Sequence, residues 1–188
     1  MKKNFFSKNI KIEKLMINKN SNSFIIAEIG INHMGNFYLC KKMIEEASKA
    51  GANAAKLQIV NPDESYQKNT RSYKIFKKSI LSFQDLEKLK LVAKQNKIIL
   101  FATPGDLKSL EVICELKFPV IKISSSSITN LPLVKECLKK KIPTIISTGM
   151  AYLEEISTIV KLAKKVKNSK LILLSCKSVY PAKDEILK

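Results

Sequence analysis

Apolar runs and helical stripes alternate along this chain almost without a break. FIIAEIG (24–30) is a near-continuous apolar run and predicts a buried strand. In FYLCKKMIEEASKA (37–50), Leu39, Met43, Ala47 and Ala50 recur at helical spacing, which predicts a helix with that stripe inward and Gly51 as its stop. AAKLQIV (54–60) reads as the second strand. A polar stretch, 61–81, leads to SFQDLEKLKLVAKQN, where Ser82 and Asp85 fit a capping box. KIILFAT (97–103) is the third strand, and Asp106 caps the helix DLKSLEVICELK. PVIKIS (119–124) is the fourth strand, followed by NLPLVKECLKK, a helix with Pro132 in its first turn. PTIIST (143–148), LEEISTIVKLAKKVK and KLILLS (170–175) complete the series as strand, helix and sixth strand.

Strands that read as unbroken apolar runs are buried on both faces, so the alternation implies a parallel α/β sheet. No GxGxxG follows the first strand, which disfavours a dinucleotide-binding fold. The pattern starts at residue 24. Residues 1–23 read as an N-terminal extension and 24–188 as one domain, six βα units where a closed barrel needs eight.

Composition narrows the function classes. A chain of 188 residues, 45% hydrophobic, is long enough for one real core. No apolar run reaches the ~18–20 residues of a membrane span. The start, MKKNFFSKNIKIEKLMI, is basic but has no apolar core segment, so no secretory leader is expected. Cys40, Cys114, Cys137 and Cys176 form no CxxC pair and read as free thiols of a reducing cytoplasm. The net charge is +18, yet Arg71 is the one arginine among 34 cations and tryptophan is absent. Phosphate and base recognition leans on arginine's planar fork, so solvated lysine that helps attract small anions is the better reading. Neither nucleic acid nor membrane is expected as a partner.

Polar residues concentrate where strands end, which is where βα barrels collect their chemistry. Lys56 and Gln58 lie on the second strand, Thr103 ends the third, Lys122 and four serines end the fourth, and Ser147 and Thr148 end the fifth. A lysine inside a strand is costly to bury, so Lys56 and Lys122 together point to an anion. Hydroxyls from Thr103, Ser125 and Ser178 and the helix start near Asn130 suit a small dianion carrying phosphate and carboxylate. Competing readings stand beside these. His33 either structures its loop or binds metal, and Glu28 either acts in the site or pairs with Lys56 or Lys122. Ser124, Ser126 and Ser127 suit turn hydroxyls, and Tyr180 before Pro181 can simply pack its loop.

EIGINHMG (28–35), AGANAAKLQ (50–58), FATPGD (101–106), KISSSSITNLPL (122–133), IPTIISTGM (142–150) and CKSVYP (176–181) occur in this order. Together they resemble the sialic acid synthase family, which makes N-acetylneuraminic, legionaminic and pseudaminic acids. The resemblance implies a TIM-type (β/α) barrel, incomplete here at about six of eight units. It implies a reaction condensing phosphoenolpyruvate with the open-chain aldehyde of an N-acetylated amino sugar, releasing phosphate. It also implies a divalent metal, manganese or magnesium, that polarises the aldehyde, and a homodimer. By this resemblance Lys56, Thr103, Lys122, Ser125 and Ser178 fall where the family holds phosphoenolpyruvate. Gln58 and Tyr180 fall where it contacts the sugar, and Glu28 falls on the acid of the first-strand motif. Asn69, in the long second loop, falls near a family asparagine of that loop, at a different local spacing.

Two departures bear on activity. Where the family carries an acid beside the reacting carbon, this chain has Ser127, which is no general base near neutral pH. The family's metal-binding histidines belong to its seventh and eighth strands, and its antifreeze-like domain follows them; His33 is the one histidine here. The expectation is therefore a synthase-type barrel portion, inactive as these 188 residues alone. The alternative is a non-catalytic protein that keeps a phosphoenolpyruvate-type pocket.

Overall fold

The computed structural model describes residues 5–179, 181, 183 and 185. A short antiparallel hairpin comes first: β1 (Ile10–Ile12) and β2 (Leu15–Ile17). Six strands then form one parallel sheet: β3 (Ile26–Gly30), β4 (Ala54–Ile59), β5 (Ile99–Pro104), β6 (Ile121–Ile123), β7 (Thr144–Ser147) and β8 (Leu171–Leu174). Spatial order follows chain order, β3-β4-β5-β6-β7-β8. The sheet curls into a half-barrel flanked by α1 (Phe37–Lys49), α4 (Phe83–Gln95), α5 (Leu107–Glu115), α6 (Leu131–Lys139) and α7 (Leu153–Lys165). Two shorter helices, α2 (Pro62–Ser65) and α3 (Arg71–Lys78), lie between β4 and α4.

Burial tracks position in the sheet. Every residue of β5, β6 and β7 is buried, whereas β3 and β8 at the two edges are mostly half-buried. Ile121, Ile123, Ile145 and Phe101 fill the middle of the core. Strands with both faces covered must be apolar throughout, which is why their sequences read as continuous runs.

The helices start where side chains can accept their free N–H groups. Asn36, Ser82, Asp106 and Asn130 cap α1, α4, α5 and α6, and Ser82 with Asp85 forms the expected reciprocal box. The ends are equally regular. After α4, α5 and α7 the chain turns left-handed on Lys97, Lys117 and Lys167, with φ of 56°, 53° and 58°. Their N–H groups bond Lys94, Cys114 and Lys164, and the following residues reach back to Ala93, Ile113 and Ala163. This paired closure consumes the last helical carbonyls. Gly51 makes the same closure after α1.

The structure departs from the sequence reading in three places. On α1 the buried stripe is Cys40 and Ile44, while Leu39 is exposed and Met43 and Ala47 sit at its margin. Both stripes have helical spacing, and packing against α4 selects the second. The polar stretch 61–81 holds α2 and α3, tied by stacking of Tyr66 on Phe76 at 5.0 Å and by Asp63 accepting from Tyr73 and Lys77. Finally, residues 5–23 are built in: Ile10 and Ile12 are core residues, and the Ser7 N–H bonds the Ser169 carbonyl just before β8. The chain thus crosses the sheet's N-terminal end from β8 to β3, and the hairpin covers that end. Two buried isoleucines in a three-residue strand are too brief a pattern to signal this.

Candidate functional site

The opposite, C-terminal end of the sheet carries the chemistry. Lys56 points inward from β4 and is 7% exposed; Lys122 does so from β6 and is 5% exposed. Lys56 Nζ lies 2.8 Å from Glu28 Oε2 and 3.2 Å from Thr103 Oγ1. The pairing follows from register, since Glu28 stands opposite Lys56 across β3 and β4 at an irregularity between Glu28 and Gly30. Glu28 is itself about half exposed, so it screens Lys56 from the rim. Gln58, two residues along from Lys56, stands opposite Thr103.

Lys122 has a different environment. Its ammonium donates to Ser147 Oγ at 2.6 Å and to the Ile123 carbonyl at 3.1 Å, both neutral acceptors. Among the described residues no carboxylate comes within ion-pair distance of it. Burial and the nearby Lys56 charge depress its pKa to about 8, partly offset by Glu28. An ammonium held this way is a standing preference for an added anion.

The serine row forms a tight turn. Ser125–Ser127 make one 3-10 turn between β6 and α6, and Ser124 Oγ lies 3.0 Å from both Ser126 Oγ and Ser127 Oγ. Those three hydroxyls largely satisfy one another. Ser125 instead faces β7 and β8: its Oγ accepts from the Gly149 N–H at 3.2 Å and sits 3.6 Å from Cys176 Sγ. Ser178 lies over Gly149 as well, since a Cβ on that glycine would come within 2.8 Å of Ser178 Oγ. Burial pushes the Cys176 thiol up, but hydrogen bonding by Ser125, Ser147 and the backbone of Thr148 and Gly149 outweighs it and leaves the pKa below its ordinary value.

Of the residues singled out from sequence, Glu28, Lys56, Thr103 and Lys122 converge, with Ser125 and Ser178 on the β7–β8 side. Gln58 lines a neighbouring cleft of 530 Å³ with Glu64, Tyr66, Thr103, Ser127 and Asn130. Tyr180 lies outside the described residues. His33 is 1% exposed; its Nδ1 accepts from the Gly35 N–H at 3.1 Å, it hydrogen-bonds the Gly30 backbone, and burial lowers its pKa. It is a loop-structuring residue. Asn69 is exposed on the segment before α3. Ser147, Gly149 and Cys176 are additions that the sequence reading did not select as site residues. Their signals were position at strand ends and membership of the stretches IPTIISTGM and CKSVYP.

The divalent metal implied by the family resemblance finds no fitting donor set here. Among the described residues no three His, Cys, Asp or Glu side chains converge to hold an ion. The acids nearest the mouth are committed elsewhere, Glu28 to Lys56 and Asp106 to Asn61, Ser65 and Ser109.

A family model described as the NeuB family matches residues 43–188. The N,N'-diacetyllegionaminic acid synthase of Legionella pneumophila is 35% identical over 177 residues, which is 85% of this chain and 50% of that protein. The N-acetylneuraminate-9-phosphate synthase of Drosophila melanogaster is 32% identical over 171 residues, 84% of this chain and 46% of its own length. Among solved structures, the N-acetylneuraminic acid (sialic acid) synthetase of Leptospira borgpetersenii, in complex with citrate, superposes with a TM-score of 0.89. It is 35% identical and covers 96% of this chain and 63% of that one. A DAHP synthase of Thermotoga maritima, at 16% identity and a TM-score of 0.66, shares the fold alone. The chain spans about half the length of the curated relatives it matches.

Proposed function

Because this chain belongs to the NeuB family, the sialic acid synthase family, we propose that its lysine mouth is the phosphoenolpyruvate half of a nonulosonic acid synthase site. The observation that carries the reading is Lys122: a buried ammonium that, among the described residues, has only neutral partners, beside a second buried lysine paired with Glu28. Phosphoenolpyruvate supplies phosphate and carboxylate together. Two ammonium groups offset its charge, while Thr103, Ser125 and Ser178 offer hydroxyls to its oxygens. The amino-sugar aldehyde belongs in the adjoining cleft, next to Gln58, where the two carbons to be joined can meet.

Ser127 favours binding without condensation. Its hydroxyl is engaged with Ser124, and it places no base beside the anion. Sugar-dependent phosphate release is therefore not expected from these residues by themselves, whereas phosphoenolpyruvate binding is. Titration calorimetry without metal tests the reading. Lys122→Ala removes a full charge and should weaken phosphoenolpyruvate at least tenfold, while Ser127→Ala should change it less than twofold. Equal losses for the two variants, or no heat with the unaltered chain, would sink the assignment.

A further inference from the structure

The end of the half-barrel away from the lysine mouth is strongly basic. α4, α5 and α7 close on left-handed Lys97, Lys117 and Lys167, and Lys141 takes the same conformation after α6, with φ of 56°. Glycine is the low-cost residue at that position, so four lysines there are an unforced choice. One cation per helix end is enough to meet a helix dipole. Here α6 ends in Lys139, Lys140 and Lys141, and α7 in Lys164, Lys165 and Lys167, all exposed. The N-terminal segment that crosses this end adds exposed Lys8, Lys11 and Lys14. Few acids offset them: Glu13, Glu115, Glu46, which is bonded to Lys49, and Glu136, which is bonded to Lys139. At the mouth end, by contrast, Asp63, Glu64, Asp106, Glu154 and Glu155 are interspersed with the cations. A uniform excess of lysine would load both ends alike.

The same end also exposes apolar side chains. On the hairpin, beside Lys14, Leu15 is 38% and Met16 45% exposed; Phe5 is 37% exposed, and Ile25, just before β3, 57%. Basic residues set around protruding aliphatic ones suit an anionic lipid surface, where the cations meet headgroups and the apolar tips enter the boundary of the acyl chains. Nucleic acid would call for arginine and stacking aromatics, and the one arginine, Arg71, is on α3 at the other end.

We propose that this face docks the protein peripherally on an anionic bilayer, with the β1–β2 hairpin as its tip. No helix among the described residues is long and apolar enough to cross a membrane, and peripheral docking requires none. The sequence alone gave no membrane partner, because the lysines are dispersed along the chain and gather only when the helix ends do. The proposal is independent of what the mouth binds.

Vesicle flotation tests it, comparing phosphatidylcholine alone with phosphatidylcholine containing phosphatidylglycerol. The chain should float only with the anionic vesicles and be released as salt rises. Lys141→Asn with Lys167→Asn, substitutions that tolerate a left-handed backbone, should lower partition roughly fivefold per lysine. Leu15→Ser with Met16→Ser should weaken it at every salt concentration. Lys88→Asn with Lys135→Asn, on the sides of α4 and α6, should leave it unchanged. Equal flotation with neutral vesicles would overturn the proposal. So would indifference to the Lys141 and Lys167 pair, with far-ultraviolet dichroism showing the variants folded, or tighter retention of a DNA duplex than of anionic vesicles.

Discussion

Lys122 pulls stability and binding in opposite directions. Its folded pKa, about 8, lies below the ordinary lysine value of 10.5. Between those values the unfolded chain holds one more proton than the folded one, so this group's contribution to stability rises with pH across that window. Below about pH 8 the penalty of the buried charge is fully present. Lys122→Met should therefore raise the melting temperature near pH 7, by an amount that shrinks as pH approaches 10.5, while abolishing anion binding; thermal melts of both proteins across that range would show it. Binding has the reverse dependence. Above pH 8 an anion must first restore the proton, so phosphoenolpyruvate affinity should fall toward tenfold per pH unit and binding should take up a proton. Calorimetry in buffers of different ionisation enthalpy measures that uptake. Cys176 offers a separate check. Burial drives the thiols of Cys40 and Cys137 up to about 12, whereas Cys176 is lowered. Iodoacetamide should label Cys176 first, and phosphoenolpyruvate should slow the labelling because Ser125 is its neighbour. The two lysines were legible in the sequence because lysine within an apolar strand is rare and expensive. Ser147 and Gly149 were not, because a hydroxyl or a backbone N–H is cheap anywhere and gains meaning only from the β6–β7–β8 adjacency.

Between elements, the loop after β7 is a tightly packed point of the site. A Cβ on Gly149 would lie 2.7 Å from the Cys176 carbonyl and 2.8 Å from Ser178 Oγ. Gly149→Ala should cost about 1–3 kcal/mol in urea unfolding and weaken anion binding by pushing the β8 loop off Ser125. The helix ends allow a change in the other direction. Lys97→Gly relieves a left-handed lysine at the cost of unfolded-state freedom, and should stabilise by about 0.5 kcal/mol. Element types were readable throughout the repeating units, since each strand and helix carries its own period and cap. Where two helical stripes competed on α1, only the partner helix α4 decided. Where a strand was three residues long, as in β1, no period existed to read.

For the whole molecule, the sheet is open: β3 and β8 are its terminal strands. Among the described residues each presents a free backbone edge, and Leu173 on β8 and Ile25 beside β3 are exposed. Unpaired parallel edges with apolar flanks invite association. Light scattering of the isolated chain should show mass rising with concentration, and a monodisperse monomer with one cooperative unfolding transition would contradict this. The barrel-like curl was legible only through alternation and count, because closure is a property of strands taken together. The same sheet has a bearing on synthesis. Since strand order and chain order coincide from β3 to β8, each strand after β3 finds a neighbour already made when it leaves the ribosome. No strand after β3 waits for a later one, and no sheet connection must thread past another. Within the sheet loop closures stay short, which keeps the entropic cost of each addition low, whereas the bond from Ser7 to Ser169 must wait for β8. The newest strand is always the growing edge, so a pause in translation leaves a narrower sheet of the same design rather than a misconnected one.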